Sequence, residues 1–199
     1  MRCKLLILLF STIYGFSQEI KYNLLLKDSC SNQIENSFNY HLERNGTEYT
    51  ISDFANGTIL LSEKGEYNLI ATEIGETHKI IIDKLINSDT LILPKSDVLL
   101  VNNNVSFKTV TIEGIGKIER PKTHTYKFMH CENICNGIET DYYSNGTIRL
   151  TGEFKNGLVI GELKRYYQSG KIKEISIYDK DGFWKETFFF EESEIIKKE

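Results

Sequence analysis

Gly137-Ile-Glu-Thr-Asp-Tyr-Tyr-Ser-Asn-Gly146 returns 24 residues later as Gly161-Glu-Leu-Lys-Arg-Tyr-Tyr-Gln-Ser-Gly170. At the same offset Ile148 meets Ile172, Arg149 meets Lys173 and Phe154 meets Tyr178. Asn156-Gly157 closes the first copy, and Lys180-Asp181-Gly182 closes the second with one residue more. A partial third unit begins at Gly182-Phe-Trp184 and ends in Phe188-Phe-Phe190. A fixed period is an architectural signal. Asn-Gly and Ser-Gly suit a tight primed turn, whose central residues need positive φ. After the Asn145-Gly146 turn, period-two alternation sends Ile148 and Leu150 to one face and Thr147, Arg149 and Thr151 to the other. A lone hairpin is marginal in water, so neighbouring units must stack to bury their aromatics. The expectation is an antiparallel hairpin meander over residues 122–190, followed by a charged tail, 191–199, that discourages edge-to-edge pairing.

These positions resemble the MORN-type repeat in its short bacterial form. Tyr142, Tyr143, Asn145, Gly146, Ile148, Gly152, Phe154, Asn156, Gly157 and Gly161 match one unit. Tyr166, Tyr167, Gly170, Gly182 and Trp184 hold the turn and aromatic positions that follow, while Ser169 and Ser176 depart from the pattern. The resemblance implies a repeat sheet used as an interaction scaffold. MORN repeats have also been associated with membrane lipid. Bacterial relatives carry an antitoxin-like label, which implies an alternative: an immunity component that binds a protein toxin.

Upstream of the repeat, residues 19–121 read as strands and turns. The runs are Ile20 to Leu26, Phe38 to Leu42, Tyr49 to Ile51, Thr58 to Leu61, Tyr67 to Thr72, Lys79 to Asp83, Thr90 to Leu93, Val98 to Val101 and Phe107 to Ile112. Asn45-Gly46 and Asn56-Gly57 punctuate them as hairpin turns. No stretch sustains an apolar 3.6-residue period, and only Leu85 to Asp89 reads as a single helical turn. The fold expected is therefore all-β: an N-terminal β-sandwich followed by an antiparallel β-hairpin repeat (MORN-like) meander. Ser52-Asp-Phe-Ala-Asn-Gly-Thr58, Lys64-Gly-Glu-Tyr-Asn-Leu69 and Ile74-Gly75 also resemble the transthyretin-like, carboxypeptidase-regulatory sandwich. That resemblance implies a scaffold or adhesion module and nothing catalytic.

Residues 1–17 read as a signal peptide. Arg2 and Lys4 precede the apolar run Leu5 to Phe10, and Gly15 and Ser17 form a small-x-small cleavage site, with cutting after Ser17 or after Gln18. The run falls well short of the ~20 residues that span a bilayer. An exported, periplasmic, surface or secreted chain is expected. Full-length, 24 basic residues stand against 28 acidic ones, for −4; without Arg2 and Lys4 the balance is −6. Such a chain is poorly matched to nucleic acid, whose binding rests on Lys/Arg neutralising phosphates. Residues 122–199 hold 12 basic and 13 acidic side chains, a balance without the polybasic clusters that anionic lipid attracts, so membrane lipid is disfavoured as well.

Export leaves Cys30, Cys131 and Cys135, of which a pair is expected to bridge. Cys131 and Cys135 would lie roughly 13 Å apart in a strand, beyond the about 7 Å that a disulfide spans. A Cys131–Cys135 bridge therefore requires a turn over residues 132–134, which the following Asn136-Gly137 favours. Free thiols are one alternative. The other is a metal site from His124, His130, Cys131 and Cys135, whose spacing matches no familiar zinc arrangement. Gly114-Ile-Gly-Lys117 lacks the phosphate-loop spacing and reads as a turn. There is no His-Glu-x-x-His and no Gly-x-Ser-x-Gly, and His41, His78, His124 and His130 are scattered. No catalytic, cofactor-binding or metal residues are assigned. The expected function is a non-catalytic binding or structural protein whose partner is a protein.

Overall fold

A computed structural model describes residues 19–51, 56–101, 106–112, 114–192 and 195–198. The leader, residues 1–17, and the segment 52–55 of the sandwich resemblance lie outside the described residues.

The described chain is all-β. Its first unit is a sandwich of two sheets. In one, β1 (Ile20–Lys27) is flanked along one edge by β2 (Ile34–Asn36) and, after the strands below, by β5 (Thr58–Leu61), both antiparallel. The second sheet has the order β4 (Thr47–Thr50), β3 (Tyr40–Arg44), β6 (Gly65–Ala71) and β7 (Glu76–Ile82). Along the free edge of β1 runs β8 (Ile86–Ile92), parallel to it with Lys21 opposite Ile86 and Lys27 opposite Ile92. The helical turn expected at Leu85 to Asp89 is thus a strand. Its peptide groups complete the other edge of β1, a demand of tertiary structure that outweighs local preference.

Alternation does the rest. Tyr22, Leu24 and Leu26 of β1 and Ile59 of its neighbour β5 point inward to meet Leu42, Tyr67, Leu69 and Ile82 from the facing sheet, and all are buried in one core. Each such side chain contributes about 1.5–3 kcal/mol on burial. The three buried phenols need partners: Tyr22 donates to Asp89 Oδ2 at 3.0 Å, Tyr40 to the carbonyl of Gly57 at 2.5 Å and Tyr67 to the carbonyl of Glu63 at 2.8 Å. Asn45-Gly46 and Asn56-Gly57 both take positive φ at the two turn residues. Only the first closes a hairpin, β3 with β4; contrary to expectation the second leads across to the other sheet, where β5 pairs with β1.

Between sandwich and repeats the chain makes two small sheets. β9 (Ser96–Leu100) pairs with β12 (Tyr126–His130), which pairs with the short β13 (Asn133–Ile134). β10 (Phe107–Ile112) and β11 (Gly116–Pro121) form a hairpin of their own.

The repeats form one six-stranded antiparallel meander in chain order: β14 (Gly137–Tyr142), β15 (Ile148–Lys155), β16 (Leu158–Tyr166), β17 (Ile172–Tyr178), β18 (Trp184–Phe190) and β19 (Ile195–Lys198). The 24-residue period is two strands. Leu150, Phe154, Val159 and Leu163 form its core with Cys135, and Phe128 of β12 and Tyr178 pack against them.

The turns correct the expected geometry. Asn156 and Gly157 both have positive φ, a two-residue primed turn. At Tyr143 to Thr147 only Gly146 does: Gly146 N–H donates to Tyr143 and Tyr143 N–H to Thr147, which makes a three-residue loop ending in a bulge. Tyr167 to Lys171 and Asp179 to Phe183 repeat the same bonds, with Gly170 and Gly182 in Gly146's place.

Candidate functional site

The paired tyrosines are the joints of the repeat. Tyr143 Oη donates to the carbonyl of Tyr166 at 2.7 Å, and Tyr167 Oη donates to that of Phe190 at 2.7 Å. Each second tyrosine thus clips its hairpin loop to the next one. Asn145 adds to this: its Oδ1 accepts from Thr147 N–H and its Nδ2 donates to the carbonyl of Gln168. Tyr142 lies outward and is half exposed. Gly161 sits in a bulge where the β15–β16 register shifts.

The cysteines pair otherwise than expected. Cys30 and Cys131 are bridged, Cα to Cα 5.3 Å, and Cys135 is a buried free thiol. Cys131 and Glu132 both have positive φ, so the chain turns between β12 and β13. That turn leaves Cys131 at the tip, next to the Cys30 loop. Cys135 returns alongside Phe128, to whose carbonyl its N–H donates, and its side chain enters the repeat core. Burial, with the Glu139 carboxylate adding to it, pushes the Cys135 thiol up to about 11. The four residues weighed for a metal also go separate ways: His124 bonds Asp181, His130 bonds Glu139, Cys131 bridges and Cys135 is core.

Two buried carboxylates join the repeats to the strands before them, one to the sandwich and one to the ribbon. Glu76, at the start of β7, holds His78 Nε2 at 2.7 Å and accepts from the backbone N–H of Ser144 at 2.8 Å. Asp141, on β14, pairs with Arg149 and accepts from the N–H groups of Lys95 and Ser96, each at 3.2 Å. Burial pushes the Asp141 carboxyl up, but Arg149 and the backbone donors outweigh it and hold it below the usual carboxylate range. Beside them Gln168 Oε1 accepts from Thr77 N–H, and the Ser144 hydroxyl is engaged with the Ile92 backbone. The His78–Glu76 pair therefore works as a splice between the two units, while the hydroxyl of Ser144, whose N–H Glu76 holds, is turned to Ile92. Sequence reasoning did not single out these residues; an Asp one place before the Tyr-Tyr pair, where the second unit carries Arg165, was the one signal.

A concave surface remains. Between the repeat sheet and the β9–β12 ribbon runs a cleft of about 310 Å³ walled by Val98, Tyr126, Phe128, Tyr178, Phe183 and Trp184. Gly157, Gly182 and Trp184 of the repeat positions meet here; Tyr142, Tyr143, Tyr166 and Tyr167 do not line it. Both glycines (φ +77°) let chains approach closely. A methyl group on Gly157 would stand 2.8 Å from Lys127 Cβ, and one on Gly182 would stand 2.8 Å from Leu158 Cβ.

The rings are held. His124 stacks on Phe183 with centroids 4.1 Å apart and donates from Nε2 to the carbonyl of Asp181 at 2.7 Å, while Lys108 Nζ lies 5.2 Å from the Phe183 centroid. Trp184 Nε1 donates to Thr187 Oγ1, which meets Ser176 Oγ; Ser176 donates to Glu174, and Arg165 pairs with the same carboxylate. This chain of bonds crosses three strands and leaves the indole, 41% exposed, offering only its ring. Tyr126, 57% exposed, forms the opposite rim. Fixed aromatic faces with few polar groups suit an apolar side chain better than a polar solute. No family model matches the chain, and no curated protein and no solved structure matches it significantly.

Proposed function

We propose that the protein is an exported, non-catalytic binding module that recognises a partner protein through the aromatic cleft between its repeat sheet and the β9–β12 ribbon. The observation that carries this is the cleft: half-exposed Trp184 of the repeat sheet and Tyr126 of the ribbon both line it, beside apolar Val98, Phe128 and Phe183. Aromatics in such settings dominate protein recognition, because they supply large contact area at little entropic cost. Export is supported by the Cys30–Cys131 bridge, a bond that persists in oxidising compartments. The sandwich then acts as the scaffold that positions the ribbon.

The test is affinity capture from the envelope and extracellular fractions of the source cells, with the chain from Glu19 onward as bait. The proposal predicts a protein retained by the unaltered bait and lost on a bait carrying Trp184→Ala with Tyr126→Ala. Equal retention on both baits, or none on either, would contradict it.

A further inference from the structure

The outer edge of β9 adjoins the cleft and is unpaired among the described strands. Val101 N–H donates to Thr125 and Cys131 N–H to Lys95, so the odd-numbered residues of β9 bond to β12. The even-numbered ones, which occupy non-bonded pairs such as Leu100 with Tyr126, turn their peptide groups outward. Of these groups, Asp141 takes Ser96 N–H and Asp97 takes Val98 N–H. Val98 C=O and both groups of Leu100 stay open among the described residues.

The side chains there are as unusual as the edge. Val98, Leu99, Leu100 and Val101 are 42–50% exposed in succession. A bare, apolar edge is the feature that proteins ordinarily blunt unless something pairs with it. Val98 and Leu100 share the face that carries Tyr126 and Phe128, which is the cleft wall. A strand laid along β9 would therefore send every second side chain toward the aromatic rings. Charge narrows the partner. Lys108 stands over Phe183, Lys127 lies opposite Leu99, and neither has an acidic partner among the described residues.

We infer that the partner binds as an extended strand added to the outer edge of β9, with apolar residues at alternate positions entering the cleft and acidic residues flanking them. This rests on the cleft being the recognition site and adds the mode of engagement.

Selection of random decapeptides on the folded chain from Glu19 onward tests it, read by the emission of Trp184, the protein's single tryptophan. Expected are sequences alternating apolar and polar residues with acidic flanks, each shifting that emission. Leu100→Pro removes one outward N–H without touching the β12 ladder, and should weaken them by about tenfold or more. The same loss is expected for the selected peptide N-methylated at alternate residues on the unaltered protein, which keeps the test decisive if the variant fails to fold. Peptides that shift Trp184 yet bind Leu100→Pro and tolerate N-methylation equally would overturn strand addition and leave the cleft in place. Failure to enrich any peptide, or enrichment of proline-rich ones, would overturn the inference; the first result would count against protein recognition at the cleft too.

Discussion

Tyr143 and Tyr167 look alike in the sequence and do the same thing 24 residues apart, each giving its hydroxyl to a carbonyl of the following loop. Tyr143→Phe should lose about 1 kcal/mol, the usual net worth of one such bond with an acceptor left unpaired, measured by urea unfolding. Asp141 has larger consequences. Its folded-state carboxyl titrates below the unfolded value of about 3.9, so its stabilisation is complete above roughly pH 4 and is lost as pH falls through the folded value. Asp141→Asn should cost about 3 kcal/mol at neutral pH by stranding the Arg149 charge. Its stability should then vary less with pH below 4 than that of the unaltered protein. Cys135, raised by burial, should resist alkylation in the native chain and react only after unfolding without reductant, giving one modified thiol per mature chain.

Hairpins were legible because their turns are written in adjacent residues. Asn45-Gly46 and Asn156-Gly157 take the primed geometry that the dipeptide favours. Asn145-Gly146 carries the same two letters yet belongs to a three-residue loop, since the bulge at Asp141 and Tyr142 shifts the register by one. Register is a property of two strands and leaves little mark on either. β8 was misread for a related reason: Ile86-Asn-Ser-Asp has weak local preference, and its strand form comes from β1, more than sixty residues away. The cleft was illegible as a unit, although Gly157, Gly182 and Trp184 were each picked out, because Val98, Tyr126 and Phe128 reach it from a ribbon that no repeat marks. Gly157→Ala should cost more than about 1 kcal/mol, since it strains a positive φ and drives a methyl group against Lys127. Thermal melting will show this, with the loss largest in probes of the repeat sheet.

Across the molecule, the sandwich, the ribbon and the repeats are tied to one another: the Cys30–Cys131 disulfide joins sandwich to ribbon, the Glu76 carboxylate takes the Ser144 N–H of the repeats, and the Asp141 carboxylate takes the Lys95 and Ser96 N–H groups at the start of the ribbon. The bridge spans 101 residues, and loop-closure entropy assigns such a crosslink about 4–5 kcal/mol. Cys30→Ser with Cys131→Ser should lower the unfolding free energy by roughly that amount and loosen the ribbon that forms one wall of the cleft. Pairing across such a separation could not be read from the sequence, where the turn signal of Asn136-Gly137 favoured the near neighbours Cys131 and Cys135. The ties matter because a cleft between ribbon and repeat sheet is only as defined as the anchoring of the ribbon. Amide hydrogen exchange on the mature chain, alone and with its captured partner, tests recognition at that cleft most directly. Protection should concentrate in β9, in residues 124–128 and around Phe183 and Trp184. Protection confined to the outer faces, around Ile81 of the sandwich or Ile138 of the repeats, would contradict it.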